Sequence, residues 1–250
     1  QLIPDSSFED NNILWDANAF NNADSFNKRS KHWKSPTDGT PDLFSFDYIK
    51  NGHLKLPIIY EYSLDSTYQI IKKDTLFLNP TFGNSLVGFF IRSAEKTGVN
   101  YKYYKEYIQT KLKDSIKINH KYKLNFNIQK FKFSGFSVYE YIDIPLGFYF
   151  SEKIITNRIN NNCYLNPNCT SFKENYIPQL EFDNFSPSDQ NNLKWESINK
   201  SFKLTKGYNY LTIGVFKSDQ YILNNYNSNK LISSNFFLDD ISLIELPCIV

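Results

Sequence analysis

Hydrophobic residues recur at every second position through much of this chain. In 122–128 (YKLNFNI), Tyr122, Leu124, Phe126 and Ile128 alternate with Lys123, Asn125 and Asn127. Successive side chains of an extended strand point to opposite faces, so this alternation predicts a strand with one face in a core and the other toward water. The same reading predicts strands at 84–92, 105–112, 144–151, 195–204, 208–216 and 235–246. Gly88, inside the first of these, marks a place where a neighbour comes close. Thr205-Lys206-Gly207 joins two of them as a turn, with a glycine where a positive φ costs little. Short strands separated by turn residues predict an all-β fold, a β-sandwich of jelly-roll type.

The two ends of the chain read as neighbouring strands, 2–10 (LIPDSSFED) and 235–245 (NFFLDDISLIE). Their pairing would close residues 1–250 into a single jelly-roll domain and bring Glu9, Asp239 and Asp240 to one spot. Adjacent residues of a strand face opposite ways, so only one of the two aspartates shares a site with Glu9. No internal repeat or interdomain linker stands out. Long polar connections at 16–47 and 157–192 interrupt the strands, and loops of that length are usually functional or partly disordered. They are the expected recognition elements.

Composition adds three constraints. The chain holds 22 Phe, 18 Tyr and 3 Trp, and aromatic residues suit pleated, half-buried surfaces. Net charge is +2 with no dense basic run, which argues against nucleic-acid binding. No apolar run reaches the roughly 20 residues needed for a transmembrane helix, so no transmembrane segment is expected. The sequence contains no Met, which makes Gln1 read as the end left by signal-peptide removal and predicts export. In an exported protein, Cys163 and Cys169 around Tyr-Leu-Asn-Pro-Asn read as a small disulfide-closed loop; two free thiols are the alternative. Cys248 is left over, either free or paired with another chain.

Catalytic signatures are sparse. There is no HExxH, no phosphate-binding loop and no GxGxxG. His32, His53 and His120 lie far apart among polar neighbours and read as loop residues. Glu140 and Asp143 have the composition of a glycosidase acid pair, but acids bounding a strand are the commoner explanation. The chain is therefore expected to be non-enzymatic. Sugar binding needs exposed rings beside polar groups, and Trp33, Tyr139 and Tyr141, all next to loops, rank first as ligand-binding residues.

Several segments taken in order resemble one family: LIPDSSFED, Trp33 followed by GTPDLF, SLVGFFI, YYKEYIQTKL, YIDIPLGFYFS, WESINKSF, YLTIGVF and FFLDDISLIE. Together they are similar to the exported jelly-roll module of Bacteroidota cell-envelope proteins, the type often found ahead of an OmpA-like domain or a sorting tail. More distantly the ends resemble galactose-binding-like carbohydrate-binding modules. The resemblance implies an outer-membrane-associated place at the cell surface or in the periplasm. It also implies a role as accessory subunit to an outer-membrane protein complex for secretion, gliding or nutrient uptake. Recognition of a surface or environmental glycan is the alternative. In such modules similar end-strand acids hold a structural Ca2+, with Glu9, Asp239 and Asp240 as the matching positions here. Solvated acids, or acids capping backbone amides, are the other reading.

Overall fold

A computed structural model describes residues 1–11, 23–45, 59–64, 70–76, 79–97, 100–131, 139–157, 172, 176–183, 185, 194–225 and 231–247. In chain order the elements are α1 (Ala23–Arg29), β1 (Trp33–Lys34), β2 (Asp42–Ser45), β3 (Ile59–Leu64), β4 (Ile70–Leu76), β5 (Ser85–Thr97) and β6 (Asn100–Lys105). There follow β7 (Tyr107–Ile116), β8 (Lys121–Phe131), β9 (Tyr139–Tyr141), β10 (Leu146–Ser151), β11 (Leu180–Phe182), β12 (Glu196–Lys203), β13 (Tyr208–Gly214), α2 (Asp219–Asn225) and β14 (Leu231–Glu245). All seven strands expected from alternation are present.

Two sheets face each other. One runs β1-β7-β13-β10-β11; the other runs β12-β8-β14-β5-β2, with β6 on β5 and β9 on β14. The antiparallel pairs β5 with β14, β7 with β13, β8 with β12, and β10 with β11 are nested one inside the next along the chain. A long hairpin rolled up so that its successive pairs alternate between sheets is a jelly roll. The expected fold class is therefore observed. β3 and β4 form a separate two-stranded ribbon.

The alternation sets what fills the space between the sheets. Tyr122, Leu124, Phe126 and Ile128 of β8 are all buried. The Phe126 ring meets Phe148 of β10 at 4.8 Å, and Phe150 of β10 meets Phe202 of β12 at 5.6 Å. Such ring contacts join the sheets through their side chains rather than through backbone bonds. Gly88 is a close approach, as expected: a Cβ there would lie 2.9 Å from the Phe44 ring and 3.0 Å from the Phe237 ring. Gly207 does not adopt a positive φ; among the described glycines only Gly83 does, at 66°.

The ends are adjacent, but residues 2–10 form no regular strand. Pro4 lacks an N–H, and Phe8 sits at φ 59°, which breaks the pleat. The segment instead joins the sheets by single bonds. The Leu2 N–H donates to Leu243 O of β14 (2.7 Å), and Leu2 O accepts from the Lys113 N–H of β7 (2.8 Å). Ile241 N–H donates to Ser6 O (2.8 Å). The connection at 16–47 contains α1, β1 and β2, and the one at 157–192 contains β11. Neither is wholly loop.

Candidate functional site

Of the three residues expected to bind ligand, Trp33 is excluded by burial. It is 0% exposed, its Nε1–H donates to Asp5 O (2.8 Å), and its ring lies 5.4 Å from Phe8. Trp33 anchors the N-terminal segment and presents no face to a ligand. Tyr139 and Tyr141 lie in β9, which pairs in parallel with β14, and their side chains fall outside the described residues. Cys163, Cys169 and Cys248 also lie outside them. Asp143 pairs with the buried Lys130 ammonium, which accounts for this acid without catalysis.

Glu9 and Asp239 do converge, on the turn at 81–85. Glu9 Oε1 accepts the N–H groups of Asn84 and Ser85, both at 2.7 Å. Asp239 Oδ2 accepts the Thr81 N–H (2.6 Å), the Thr81 hydroxyl (2.7 Å) and the Phe82 N–H (3.0 Å); its Oδ1 accepts the Asp240 N–H (2.7 Å). Burial pushes both carboxyls above their ordinary range, Glu9 further raised by the charge of Asp239. Gly83 leaves room for this arrangement, since a Cβ there would overlap the Glu9 carboxyl.

Calcium takes carboxylate and carbonyl oxygens, not N–H groups. Here amide hydrogens point at Glu9 Oε1 and at both Asp239 oxygens. Among the described residues no three metal-ligating side chains gather. As arranged, Glu9 and Asp239 do not fit a calcium site with Asp240; they act as anionic caps that fix the 81–85 turn. The turn presents Phe82, 65% exposed.

The outer face of the five-stranded sheet offers a different site. Cross-strand register sets its side chains in rows: Tyr107, Gly214 and Gly147, then Gln109, Thr212 and Tyr149, then Lys111, Tyr210 and Ser151. The first two rows are paved. Phe172 packs on Tyr107 at 4.5 Å, Phe216 on Tyr107 at 5.4 Å, and Tyr176 on Tyr149 at 5.0 Å. The paired glycines make this possible, because a Cβ on Gly147 would lie 2.6 Å from the Phe216 ring and one on Gly214 would overlap Tyr107. Beneath the rings, Gln109 donates to the Thr212 hydroxyl at 2.6 Å.

Beyond the third row the face opens. Tyr210 pairs with Lys111 and Tyr208 with Ile116, so Asn209 alone stands against four residues of β7, 112–115. Such a bulge swings one strand away and re-aims its side chains. The result is a groove of about 570 Å3 between the bulge, the start of β13 and the turn at 152–154. Asn209 forms its floor: the Ser115 hydroxyl donates to its Oδ1, and its Nδ2 donates to Glu152 O (3.1 Å). The Ser151 hydroxyl, beside Tyr210, is buried and has no hydrogen-bond partner among the described residues.

Neither Tyr210 nor Asn209 stood out in the sequence. One signal existed: Asp114 falls on the same alternation as Ile108, Leu112 and Ile116, a polar residue at a core position where the bulge forms.

The sequence matches no protein-family model. It also matches no curated protein. Among solved structures it is similar to TmCBM61, in complex with β-1,4-galactotriose, at 10% identity and TM-score 0.39, over 98% of this chain and 99% of that one. It is also similar to the K2 cleaved adhesin domain of Lys-gingipain, at 12% identity and TM-score 0.40, over 96% and 97%. The K1 adhesin domain from Porphyromonas gingivalis W83 follows at 12% identity and TM-score 0.34, over 84% of this chain and 100% of that one. At these scores the likenesses add nothing to the fold, which rests on the strand pairing itself.

Proposed function

We propose that this protein is a non-catalytic glycan-binding module that binds through the groove at the open end of the five-stranded sheet. The groove carries the proposal. Its volume falls in the range of small-ligand sites, roughly 300–1,000 Å3. A half-buried tyrosine ring, an exposed isoleucine and several amide, hydroxyl and amine groups line it. A sugar offers C–H faces to the first two and hydroxyls to the rest. The paved aromatic cluster beside it and the doubly bonded Asn209 hold the groove in shape before any ligand arrives. Titration calorimetry against a broad glycan panel tests this, with Tyr210→Ala and Asn209→Ala as probes. Binding in the parent that both variants lose, with folding intact, is the expected result; a panel without a single binder overturns it.

A second reading makes the protein an accessory subunit on an outer-membrane assembly. Phe82, held out by the capped 81–85 turn, and Ile177, 82% exposed, favour it as apolar contacts for a protein partner. Recovery with an outer-membrane protein from membrane fractions is the outcome it requires, lost in Phe82→Ser. Both readings include export to the cell surface or periplasm, which fractionation tests. Among the described residues no helix is long and apolar enough to cross a membrane.

A further inference from the structure

We infer that the groove selects an anionic glycan, one bearing carboxylate or sulfate groups, with Lys111, Lys113 and Lys153 reading its charge. The inference rests on the glycan-binding function proposed above and names the ligand class of the same site.

Three ammonium groups and one carboxylate, Glu152, line the groove. The whole chain carries only +2, so this single groove holds as much excess positive charge as the entire chain does on balance. Asp114, next to Lys113 in sequence, is not one of the residues that line the groove.

What sets these lysines apart is that three gather at one groove. Lys31, Lys105, Lys117, Lys130 and Lys217 each pair with a carboxylate of the chain. The ammonium groups of Lys111, Lys113 and Lys153 make no ion pair or hydrogen bond among the described residues, and Glu152 uses only its backbone carbonyl, toward Asn209. Lys121, Lys123, Lys200, Lys203 and Lys206 likewise make no ion pair among the described residues but do not line the groove. Lys111 sits opposite Tyr210 in the last regular pair, and Lys113 two residues on, in the stretch opposite Asn209, so both lie beyond the paved rows. Lys153 meets them from the turn after β10. Clustered like charges repel one another, and an anion between them removes that cost.

A ring and an apolar rim accompany the charges. Tyr210 lies cross-strand from Lys111, and Ile154, 61% exposed, stands at the groove's edge. A sugar ring satisfies both while its acid group meets the amines. Simple polyanion capture would use only the amines.

The test uses the full chain and four probes: polygalacturonate, dextran sulfate, neutral dextran and a short DNA duplex. Affinity is measured for the parent, for the triple variant Lys111→Gln/Lys113→Gln/Lys153→Gln, and for Tyr210→Ala. Exposed charge contacts of this kind are each expected to be worth about two- to five-fold, so the triple variant should bind about tenfold or more weakly. Binding should also weaken with salt. Uronate binding alone, or sulfate binding alone, identifies which anion the groove takes. Unchanged affinity in the triple variant overturns the inference. So does equal binding to DNA, which marks capture of any polyanion. Binding of a neutral glycan that depends on Tyr210 but not on the lysines overturns the charge selection and leaves the glycan-binding function standing. Failure to bind any of the three glycan probes overturns the charge selection, and failure across the broad glycan panel as well removes both.

Discussion

Trp33 shows how little a residue's type says about its use. An indole beside a polar loop has the composition of a sugar platform, yet this one is fully buried and hydrogen-bonded to the Asp5 carbonyl. Truncating a buried Trp removes its packing and leaves a cavity, typically at a cost of about 3–5 kcal/mol. Trp33→Ala should therefore lower unfolding stability by about that much in urea titrations, while any glycan binding that survives stays at parent affinity. A variant as stable as the parent would show that the ring is not core. Tyr210 is the opposite case: an ordinary strand tyrosine in the sequence becomes a groove wall because its neighbour Asn209 faces a bulge. The acids divide in the same way. Glu9 and Asp239 were legible as a converging pair, but a list of carboxylates says nothing about which atoms they meet, and here they meet N–H groups.

At the scale of elements, two irregularities do most to shape the surface. β7 bulges opposite Asn209 and opens the groove. β14 shifts register between Asp239 and Ser242, with Asp240 at φ 49°. Aspartate tolerates this left-handed conformation better than most residues, which explains an acid there without a metal. The end of β14 is tied to the turn between β7 and β8 by Glu245, which meets Lys117 at 3.0 Å and His120 at 2.5 Å. The hydrogen bond from Lys117, then that from His120, holds the Glu245 carboxyl below its ordinary range. A carboxyl with a depressed folded value contributes stability that is present above its unfolded value and lost as pH falls through the folded one. Glu245→Gln should thus melt earlier than the parent at neutral pH, and the gap should close in acid. A gap that is constant with pH would rule out this linkage. Asp239 runs the other way: its carboxyl is raised by burial, so its ionisation opposes folding as pH rises from the ordinary value through the folded one.

For the whole molecule, the nested strand pairs make most contacts distant in sequence. β5 pairs with β14 more than a hundred residues away, and closing such loops is slow. The N-terminal segment completes the sandwich by bonding to β14 of one sheet and β7 of the other. Leu2 and Ile3 are buried there. Removing residues 1–4 strips both side chains from the core, at about 1.5–3 kcal/mol each. A truncated chain should lose about 3–6 kcal/mol in chemical denaturation; a loss below 1 kcal/mol would show that the segment only decorates the sheets.

The alternation of apolar and polar residues was sufficient to place seven strands and the all-β class. Burial of one strand face is a local requirement, and it is written into successive residues. Which aromatic rings lie inside, which acids meet amides, and where the outer face stays open were decided only by the tertiary structure. Each depends on register between strands far apart in the chain, and the bulge of β7 opposite Asn209 changes the answer without changing the pattern.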